Sequence, residues 1–423
     1  MNNSIIIIID GISTAVGYAP AFKSYGIDCI HIYSSKTFKD KFSQLIKAED
    51  YTFVFEYEND LSFLLTQLKQ FHILAVLSGV ESGSELKDKL SERLGLQYRN
   101  DASTSEARYH KYIMTQTVNE HELLAPEQFT STNKDELLYW IKNRNVFPII
   151  LKPTNSAGVT GVFRCNSLKE AEHYIDTIKD MKSYFGVSNN MIVAQECLQG
   201  QEYIVDAVSL DGMHRIINIW EVYREEGSSP LLDGMIIVDH SQDKFQPIIN
   251  YAKQVFDALG VRNGPSHLEL MQTAKGPCIV ELNARLHGSL DLKLSTLVNG
   301  YDQLHCVVES ILCPYHFKHN INQPPIFHGF SVHLLIRSAK QECLTSLDIW
   351  EQFAKFKTYV GCKVNYQIGQ QVKVTRDLTT ALGSVALYSE SYDELLTDWK
   401  RIRVLEHFTV EHRSNWQHSN ISI

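Results

Sequence analysis

The chain has 423 residues, of which 44% are hydrophobic, and a formal net charge of −9 at pH 7. This length allows two or three domains, and the acidic balance argues against broad nucleic-acid binding or docking on an anionic membrane. No apolar run approaches the roughly 18 residues that span a bilayer. Eight scattered cysteines without a C-x-x-C pair predict reduced thiols and a cytoplasmic location. We therefore expect small-molecule ligands.

The first hundred residues predict a parallel α/β unit. Residues 4–35 have the pattern of a strand, a glycine-containing turn, a helix and a second strand, and further strands are predicted at 52–55 and 73–77. The glycine pattern of a dinucleotide site is incomplete, because Gly11 and Gly17 lack the middle glycine and no acidic residue follows the second strand. We place a Rossmann-like domain without a dinucleotide site at residues 1–100.

Two lysines distinguish the next segment. Residues 103–124 predict a helix that carries Lys111, and the apolar strand VFPIILKP leads through Lys152 into a glycine-containing stretch at residues 156–161. A P-loop is excluded, because its lysine follows the second glycine and stands at the start of a helix. Val162-Phe163 predicts another strand instead. The pattern therefore indicates a hairpin whose backbone N–H groups could close over a triphosphate.

Two glutamates face each other in the most informative stretch. Residues 264–289 predict two alternating strands joined by a turn. If this hairpin is centred on Lys275, Glu269 lies opposite Glu281, and each such pair shares one face of the sheet. Like charges facing each other across a ladder are destabilising, so a neutralising partner is expected.

That partner has two candidate forms. Two carboxylates with an amide oxygen, here from Asn283, are the hard-oxygen ligands that suit Mg²⁺. Alternatively, the glutamates are solvent-facing or each pairs with an arginine, Arg285 being close in sequence. From the residues alone, we give these two interpretations about equal weight. In the same register His267 faces Asn283.

Taken in chain order, the hairpin, the incoming lysine and the Glu/Glu/Asn set resemble the ATP-grasp superfamily. The resemblance extends from the first α/β unit to at least Ser289 and is greatest with carboxylate–amine ligases, in particular bacterial L-amino-acid ligases that form dipeptides. The stretches that carry it are SAGVTGV, INIWEVYR, GPSHLEL and VELNARLHGS. One departure is Ser289, which follows Gly288 where many relatives have a second glycine.

This resemblance implies an α/β (α+β) fold class, with an ATP-grasp fold preceded by the Rossmann-like pre-ATP-grasp domain. The ATP-grasp small lobe would occupy residues 101–205. The large lobe, with the metal site and a C-terminal α/β extension, would occupy residues 206–423.

The resemblance also implies roles for individual residues. Lysines and the glycine loop would contact phosphates. The segment VAQECLQGQEY would form the hinge between the two lobes and border adenine, and one glutamate would accept from ribose hydroxyls. The implied ATP-binding residues are Lys111, Lys152, Ser156, Ala157, Gly158, Thr160, Gly161, Gln195, Glu196, Leu198 and Glu202. The implied metal ligands are Glu269, Glu281 and Asn283, and the implied catalytic residues are Arg285, Lys152 and His267. His267 would orient the amine or accept its proton, or else support the metal site.

The implied activity is ATP-dependent ligation of a carboxylate, such as an L-amino acid, to an amine, such as a second amino acid. The carboxylate becomes an acyl phosphate, and ADP and phosphate are released. The implied cofactors are ATP and Mg²⁺, with Mn²⁺ as a substitute. Two alternatives remain: activation of formate or bicarbonate on the same fold, and an ATP-binding module without catalysis. The two substrates and the oligomeric state, a homodimer included, stay open.

Overall fold

A computed structural model describes residues 4–154, 161–181, 191–225, 231–288, 290–323, 325–378 and 380–411. The chain divides into two compact units. The first comprises residues 1–219, 239–292 and 301–325, and the second comprises residues 220–238, 293–300 and 326–423. No helix in the described ranges combines the length and apolarity needed to cross a membrane.

A four-stranded parallel sheet begins the first unit. Its strands are β1 Ser4–Ile9, β2 Asp28–Tyr33, β3 Phe53–Glu56 and β4 His72–Ser78, and its helices are α1 Tyr18–Lys23, α2 Lys36–Phe42, α3 Leu61–Leu68 and α4 Ser84–Arg93. The strand order is β3-β2-β1-β4. Ile6 and Ile8 pack with α1, whereas Ile5, Ile7 and Ile9 pack with α3 and α4. Helices thus cover both faces, which is why β1 is an uninterrupted apolar run.

An antiparallel sheet follows in the same unit. Its elements are α5 Lys111–Glu120, β5 Gln128–Ser131, α6 Lys134–Arg144, β6 Ile149–Pro153, β7 Phe163–Cys165, α7 Leu168–Asp180 and β8 Ile192–Glu196. The strand order is β5-β8-β6-β7. Ile149 and Leu151 of β6 pack with α6 and α7 on one face. Because side chains alternate along a strand, Lys152 points to the opposite face.

The remaining strands of the first unit form the sheet that carries the glutamate hairpin. The elements are β9 Gln201–Leu210, β10 Met213–Arg224, α8 Gln246–Ala258, β12 Gly264–Thr273, β13 Gly276–Asn283, α10 Gln303–Leu312 and α11 Pro314–Asn320, with β11 Leu232–Ile237 and α9 Leu292–Asn299 intervening in the chain. Neighbouring strands lie in the order β13-β12-β9-β10. From Trp220 onward, β10 belongs to the second unit.

An antiparallel sheet also organises the second unit. Besides β11 and most of α9, its elements are β14 Phe330–Ile336, β15 Glu342–Cys343, α12 Asp348–Phe353, β16 Tyr359–Val364, β17 Gln371–Val372, β18 Gly383–Ser389 and α13 Tyr392–Glu411. The strand order is β11-β14-β18-β16. Trp399 and Ile402 of α13 pack on Val332 and Leu334 of β14. Arg337 forms ion pairs within this unit, among them one with Glu406.

The predicted helix at residues 103–124 is wrong in its first half. Short 3-10 turns occupy residues 102–104 and 106–108, and the α-helix begins only at Lys111. The reason is Arg108, which is 1% exposed. Its guanidinium bonds the Asp88 carboxylate at 2.8 Å and the carbonyl oxygens of Asp101 at 2.7 Å and Leu259 at 2.7 Å. A continuous helix would not satisfy this buried charge.

Candidate active site

Two buried lysines converge from different elements. Lys152 lies on β6 and is 5% exposed, and Lys111 is the first residue of α5 and is 6% exposed. The backbone N–H of Lys111 donates to the Thr154 carbonyl at 3.2 Å, which fixes the start of α5 to the end of β6. Burial, together with repulsion from Lys111, lowers the pKa of Lys152 to about 8. The two cations are therefore close enough to act on one anionic ligand.

The predicted phosphate loop joins β6 to β7, and the antiparallel pairing of these strands confirms a strand–loop–strand unit. Ser156, Ala157, Gly158 and Thr160 lie outside the described residues. Gly161 is described and has a φ of +77°. A Cβ at this position would lie 3.2 Å from Cδ of Pro153, so a side chain would be both strained and crowded.

Glu269 and Glu281 are direct partners on β12 and β13, as the predicted register requires. The turn itself is tighter than predicted, because Thr273 already pairs with Gly276. A β-bulge at Glu269/Leu270, where Val280 is the extra residue of β13, shifts the pairing by one position. This shift brings the two glutamates into register.

Each glutamate has a cationic neighbour. Nζ of Lys111 donates to Oε1 of Glu281 at 2.6 Å, and Nε2 of His267 lies 3.2 Å from Oε1 of Glu269. The Glu281 and Glu269 side chains are 20% and 29% exposed, so a ligand can reach both carboxylates. The side chain of Asn283 is adjacent, with Nδ2 3.4 Å from Oε1 of Glu281. Two reachable carboxylates beside an amide fit a hard divalent cation.

Arg285 does not neutralise the glutamate pair by direct contact. It is 8% exposed, its Nη2 donates to Glu81, and its Nη1 donates to the Leu286 carbonyl at 2.7 Å. Although burial opposes ionisation of Glu81, Arg285 and Lys111 hold the pKa of this carboxyl below its usual value. Nε of Arg285 has no hydrogen-bond partner in the described part of the chain. A buried donor of this kind would be satisfied by an anionic substrate oxygen.

Glu81 follows β4 at the carboxyl edge of the parallel sheet, where open α/β folds bind ligands. Asp10 directly follows β1 at the same edge, accepts from the Ser34 N–H at 2.8 Å and accepts from the Ser82 hydroxyl at 2.5 Å. Burial raises the pKa of Asp10 to about 6. The two acidic residues thus make different contacts. Asp10 connects the loops that carry Ser34 and Ser82, whereas Glu81 forms an ion pair with Arg285.

His267 belongs to a buried cluster that the sequence did not predict. Nδ1 of His267 lies 3.3 Å from Oδ1 of Asp206, and Nδ1 of His287 lies 3.1 Å from Oδ2 of the same carboxylate. The two imidazole rings are 4.0 Å apart. Burial opposes the charged form of His267, but Asp206 and Glu269 outweigh it and raise its pKa to about 9. Burial lowers the pKa of His287 to about 4.

The predicted adenine border lies at the end of β8. Gln195 is 5% exposed, and its Nε2 lies 3.4 Å from Oε1 of Gln128 on the neighbouring strand. The backbone N–H of Glu196 donates to the Glu127 carbonyl at 2.8 Å. Leu198 is half-buried just beyond the strand, and Glu202 is half-buried on β9, where it pairs with Met271. These residues occupy one continuous stretch of chain, and their contact with a nucleotide stays a prediction.

Three residues of the site were missed by reasoning from the sequence: Glu81, Asp206 and His287. A signal existed for Glu81, because it is the acidic residue nearest the carboxyl end of a predicted parallel strand. Asp206 gave a weaker signal, as an acidic residue within the apolar strand pattern EYIVDAVSL. His287 lies in a loop after β13, and nothing in its spacing placed it against Asp206.

Comparison with known families defines the class. Residues 145–291 match the family model described as an ATP-grasp domain. The chain contains an ATP-grasp domain, and the superfamily indicated by its sequence is confirmed. A crystal structure of an L-amino acid ligase from Bacillus licheniformis has the same fold, with a TM-score of 0.77, 16% identity, and coverage of 96% of this chain and 98% of that chain. The predicted ATP-grasp fold, with its parallel α/β sheet at the start, is also confirmed.

Two curated relatives indicate which ATP-grasp enzymes the chain is similar to. The chain is 28% identical over 394 residues to dapdiamide A synthase from Enterobacter agglomerans, which covers 91% of each protein. It is 24% identical over 283 residues to L-arginine-specific L-amino acid ligase from Bacillus subtilis, which covers 64% of this chain and 65% of the relative. The expected relationship to ATP-grasp amino-acid ligases is confirmed.

Proposed function

We propose that this protein is an ATP-dependent carboxylate–amine ligase that joins two small molecules through an amide bond. The observation that carries the proposal is the facing pair Glu269 and Glu281, reachable from solvent and bordered by Lys111 and Lys152. Paired carboxylates beside buried cations suit a metal–polyphosphate ligand. ATP and Mg²⁺, or Mn²⁺, are the proposed cofactors.

Each charged group has a distinct part in the proposed reaction. Mg²⁺ at Glu269, Glu281 and Asn283 would supply charge neutralisation for the phosphates. Lys152 and Lys111 would hold the phosphate oxygens, and a negative ligand would raise the pKa of Lys152 and so stabilise its charged form. The substrate carboxylate attacks the γ-phosphorus of ATP, so ADP leaves and an acyl phosphate forms.

The second half of the reaction places different demands on the protein. The amine attacks the acyl carbon, and phosphate leaves as the amide forms. We assign Arg285 to the anionic oxygens of both steps, because its Nε is a buried donor aimed at no described acceptor. The residue 156–161 loop would exclude water, which otherwise hydrolyses an acyl phosphate.

His267 suits support better than proton transfer. Its ring lies between the carboxylates of Asp206 and Glu269, with Nδ1 3.3 Å from Oδ1 of Asp206 and Nε2 3.2 Å from Oε1 of Glu269. Because both ring nitrogens contact carboxylates, neither is available to accept the proton of an attacking amine. We therefore assign His267 to holding Glu269 in position, one of the roles anticipated for it.

Amino acids are the proposed substrates, because the relative from Bacillus subtilis is named as an L-amino acid ligase. The test measures phosphate release from ATP and Mg²⁺ across a matrix of amino-acid pairs, with mass spectrometry on every positive well. We expect release that needs two amino acids, and a product lighter by one water than their sum. Release that needs bicarbonate or formate with one amine would favour the carboxylate-activating alternative.

Two variants complete the test. Glu281→Ala removes a proposed metal ligand and should abolish ADP formation with the fold intact by circular dichroism. Lys275→Ala, at the exposed turn of the same hairpin, is the matched control and should keep full turnover. Undiminished turnover in Glu281→Ala would remove the metal-site argument, and ATP binding without turnover on any pair would favour a binding module.

A further inference from the structure

Asp206, His267 and His287 form a compact, buried cluster of residue types that bind metals. They are 1%, 3% and 7% exposed. One donor atom from each lies within 4.8 Å of the others, and within the described ranges no other trio of histidine, cysteine or acidic residues has this geometry. Asp206 comes from β9, His267 from β12, and His287 from the loop after β13. The cluster therefore joins three chain segments at one point.

Its internal distances match those between neighbouring ligands of one ion. Ligands held about 2.0–2.2 Å from a zinc ion lie roughly 3–3.5 Å from one another. The observed separations from the Asp206 carboxylate oxygens are 3.3 Å to Nδ1 of His267 and 3.1 Å to Nδ1 of His287. Nδ1 of His267 faces Oδ1 of Asp206 and Nδ1 of His287 faces Oδ2, so both imidazoles approach one carboxylate. The three side chains thus offer donor atoms within 4.8 Å of one another.

The outer contacts also resemble those of a metal centre. A metal-bound imidazole usually donates its second ring N–H to a carboxylate, which fixes the ring and the tautomer. Nε2 of His267 lies 3.2 Å from Oε1 of Glu269 and can make that contact. His267 would then use Nδ1 for the ion and Nε2 for Glu269.

A buried amide holds the three segments in place. Gln303, 3% exposed, accepts from the backbone N–H of His287 at 3.0 Å. Its Nε2 donates to the carbonyl oxygens of Ala207 at 3.0 Å and Ser266 at 2.8 Å. Each of these contacts involves a member of the cluster or its immediate neighbour in sequence. The ligand geometry is thus organised before any ion binds, which lowers the cost of binding.

We propose that Asp206, His267 and His287 form a second cation site, selective for a transition metal of the Zn²⁺ class. Two imidazoles and one carboxylate suit Zn²⁺, whereas the oxygen ligands Glu269, Glu281 and Asn283 suit Mg²⁺. Three protein ligands leave a fourth tetrahedral position for water. The ion would neutralise Asp206 and fix the orientation of the His267 ring. Because this ring contacts Glu269, the ion would indirectly hold the Glu269 carboxylate in position beside Glu281.

Metal binding is testable without reference to ligase activity. The full chain is stripped with a chelator and titrated with Co²⁺, whose visible d–d absorption reports a nitrogen-containing tetrahedral site. We expect one equivalent in the wild-type chain. Asp206→Asn and His287→Gln should weaken binding by more than about tenfold, provided that circular dichroism shows a folded chain.

Two control variants separate this site from others. Glu281→Gln removes an oxygen ligand of the proposed Mg²⁺ site and should keep the Co²⁺ band. His305→Gln removes an exposed histidine that contacts only one carboxylate in the described structure, Asp302 at 2.6 Å, and should also keep it. Loss of the band in Glu281→Gln, or its survival in both Asp206→Asn and His287→Gln, would overturn the proposal.

Anomalous diffraction from the wild-type protein tests the site without requiring that any variant folds. A Zn²⁺-soaked crystal should give an anomalous difference peak enclosed by Asp206, His267 and His287. A peak only at Glu269 and Glu281, or no peak at the cluster, would overturn the second site and leave the proposed ligase activity untouched.

Discussion

Replacing Lys152 with methionine should stabilise the ligand-free protein while destroying its function. Lys152 is buried beside Lys111, and its pKa falls from 10.5 to about 8. That drop corresponds to a cost of about 3 kcal/mol for carrying the charge in the folded state. Methionine is close in shape and carries no charge. We therefore expect Lys152→Met to raise the free energy of unfolding at pH 7 by about 1–3 kcal/mol.

The gain in stability of Lys152→Met over wild type should decrease as the pH rises. Below pH 8 Lys152 is charged in both the folded and unfolded states, so the wild-type protein carries the full cost. As the pH rises from about 8 to 10.5, the folded state has lost its proton and the unfolded state progressively loses its own, so the cost disappears. The difference between Lys152→Met and wild type should therefore shrink over this interval.

Urea denaturation at pH 7 and pH 10 measures this difference. Lys142→Met, on the exposed side of α6, is the matched control and should change stability little at either pH. ADP formation by Lys152→Met should fall by at least about a hundredfold. A Lys152→Met chain that is less stable than wild type at pH 7, or a difference that grows with pH, would refute the electrostatic reasoning.

Three further changes test separate features. Glu81→Gln leaves the buried Arg285 guanidinium without its counter-charge and should lower the free energy of unfolding by about 3 kcal/mol; a urea midpoint equal to wild type would contradict the pairing. Asp10→Asn should abolish a loss of stability in the wild-type protein that develops as pH rises from 3.8 to about 6, since the buried folded-state carboxyl keeps its proton longer than the unfolded one. Parallel stability–pH curves for the two proteins would count against it. Gly161→Ala forces a side chain into φ +77° beside Pro153 and should cost about 1 kcal/mol, with a raised KM for ATP; unchanged thermal unfolding and KM would oppose this assignment.

The glutamate pair shows how far sequence reasoning reached. Alternation and a turn rich in small residues were sufficient to predict β12 and β13. Placing Glu269 opposite Glu281 required a centre at Lys275, yet the actual turn is one position tighter and the bulge at Val280 compensates. The prediction was right at the site through a backbone irregularity that no local pattern indicated, because bulges depend on packing around both strands.

Contacts between distant segments were harder to predict. Lys111 was identified through a family resemblance, but its 2.6 Å contact with Glu281 joins residues 170 positions apart. The Asp206–His287 contact likewise depends on how β9 meets the loop after β13. Such contacts follow from the packing of whole elements, and a single sequence contains only the periodicity of each element. Apolar runs such as β1 predicted their strands well, because burial on both faces leaves a strong signal.

Arg108 has a consequence for how the chain can be cut and recombined. Its guanidinium is shared among Asp88, Asp101 and Leu259, so one side chain belongs at once to α4, the connecting segment and the turn after α8. A truncated chain that starts near residue 101 would keep the cation and lose its only carboxylate partner among these three. Chimeras should therefore transfer Asp88 and Arg108 together. Exchanging the first hundred residues alone would leave the buried Arg108 guanidinium without its carboxylate partner.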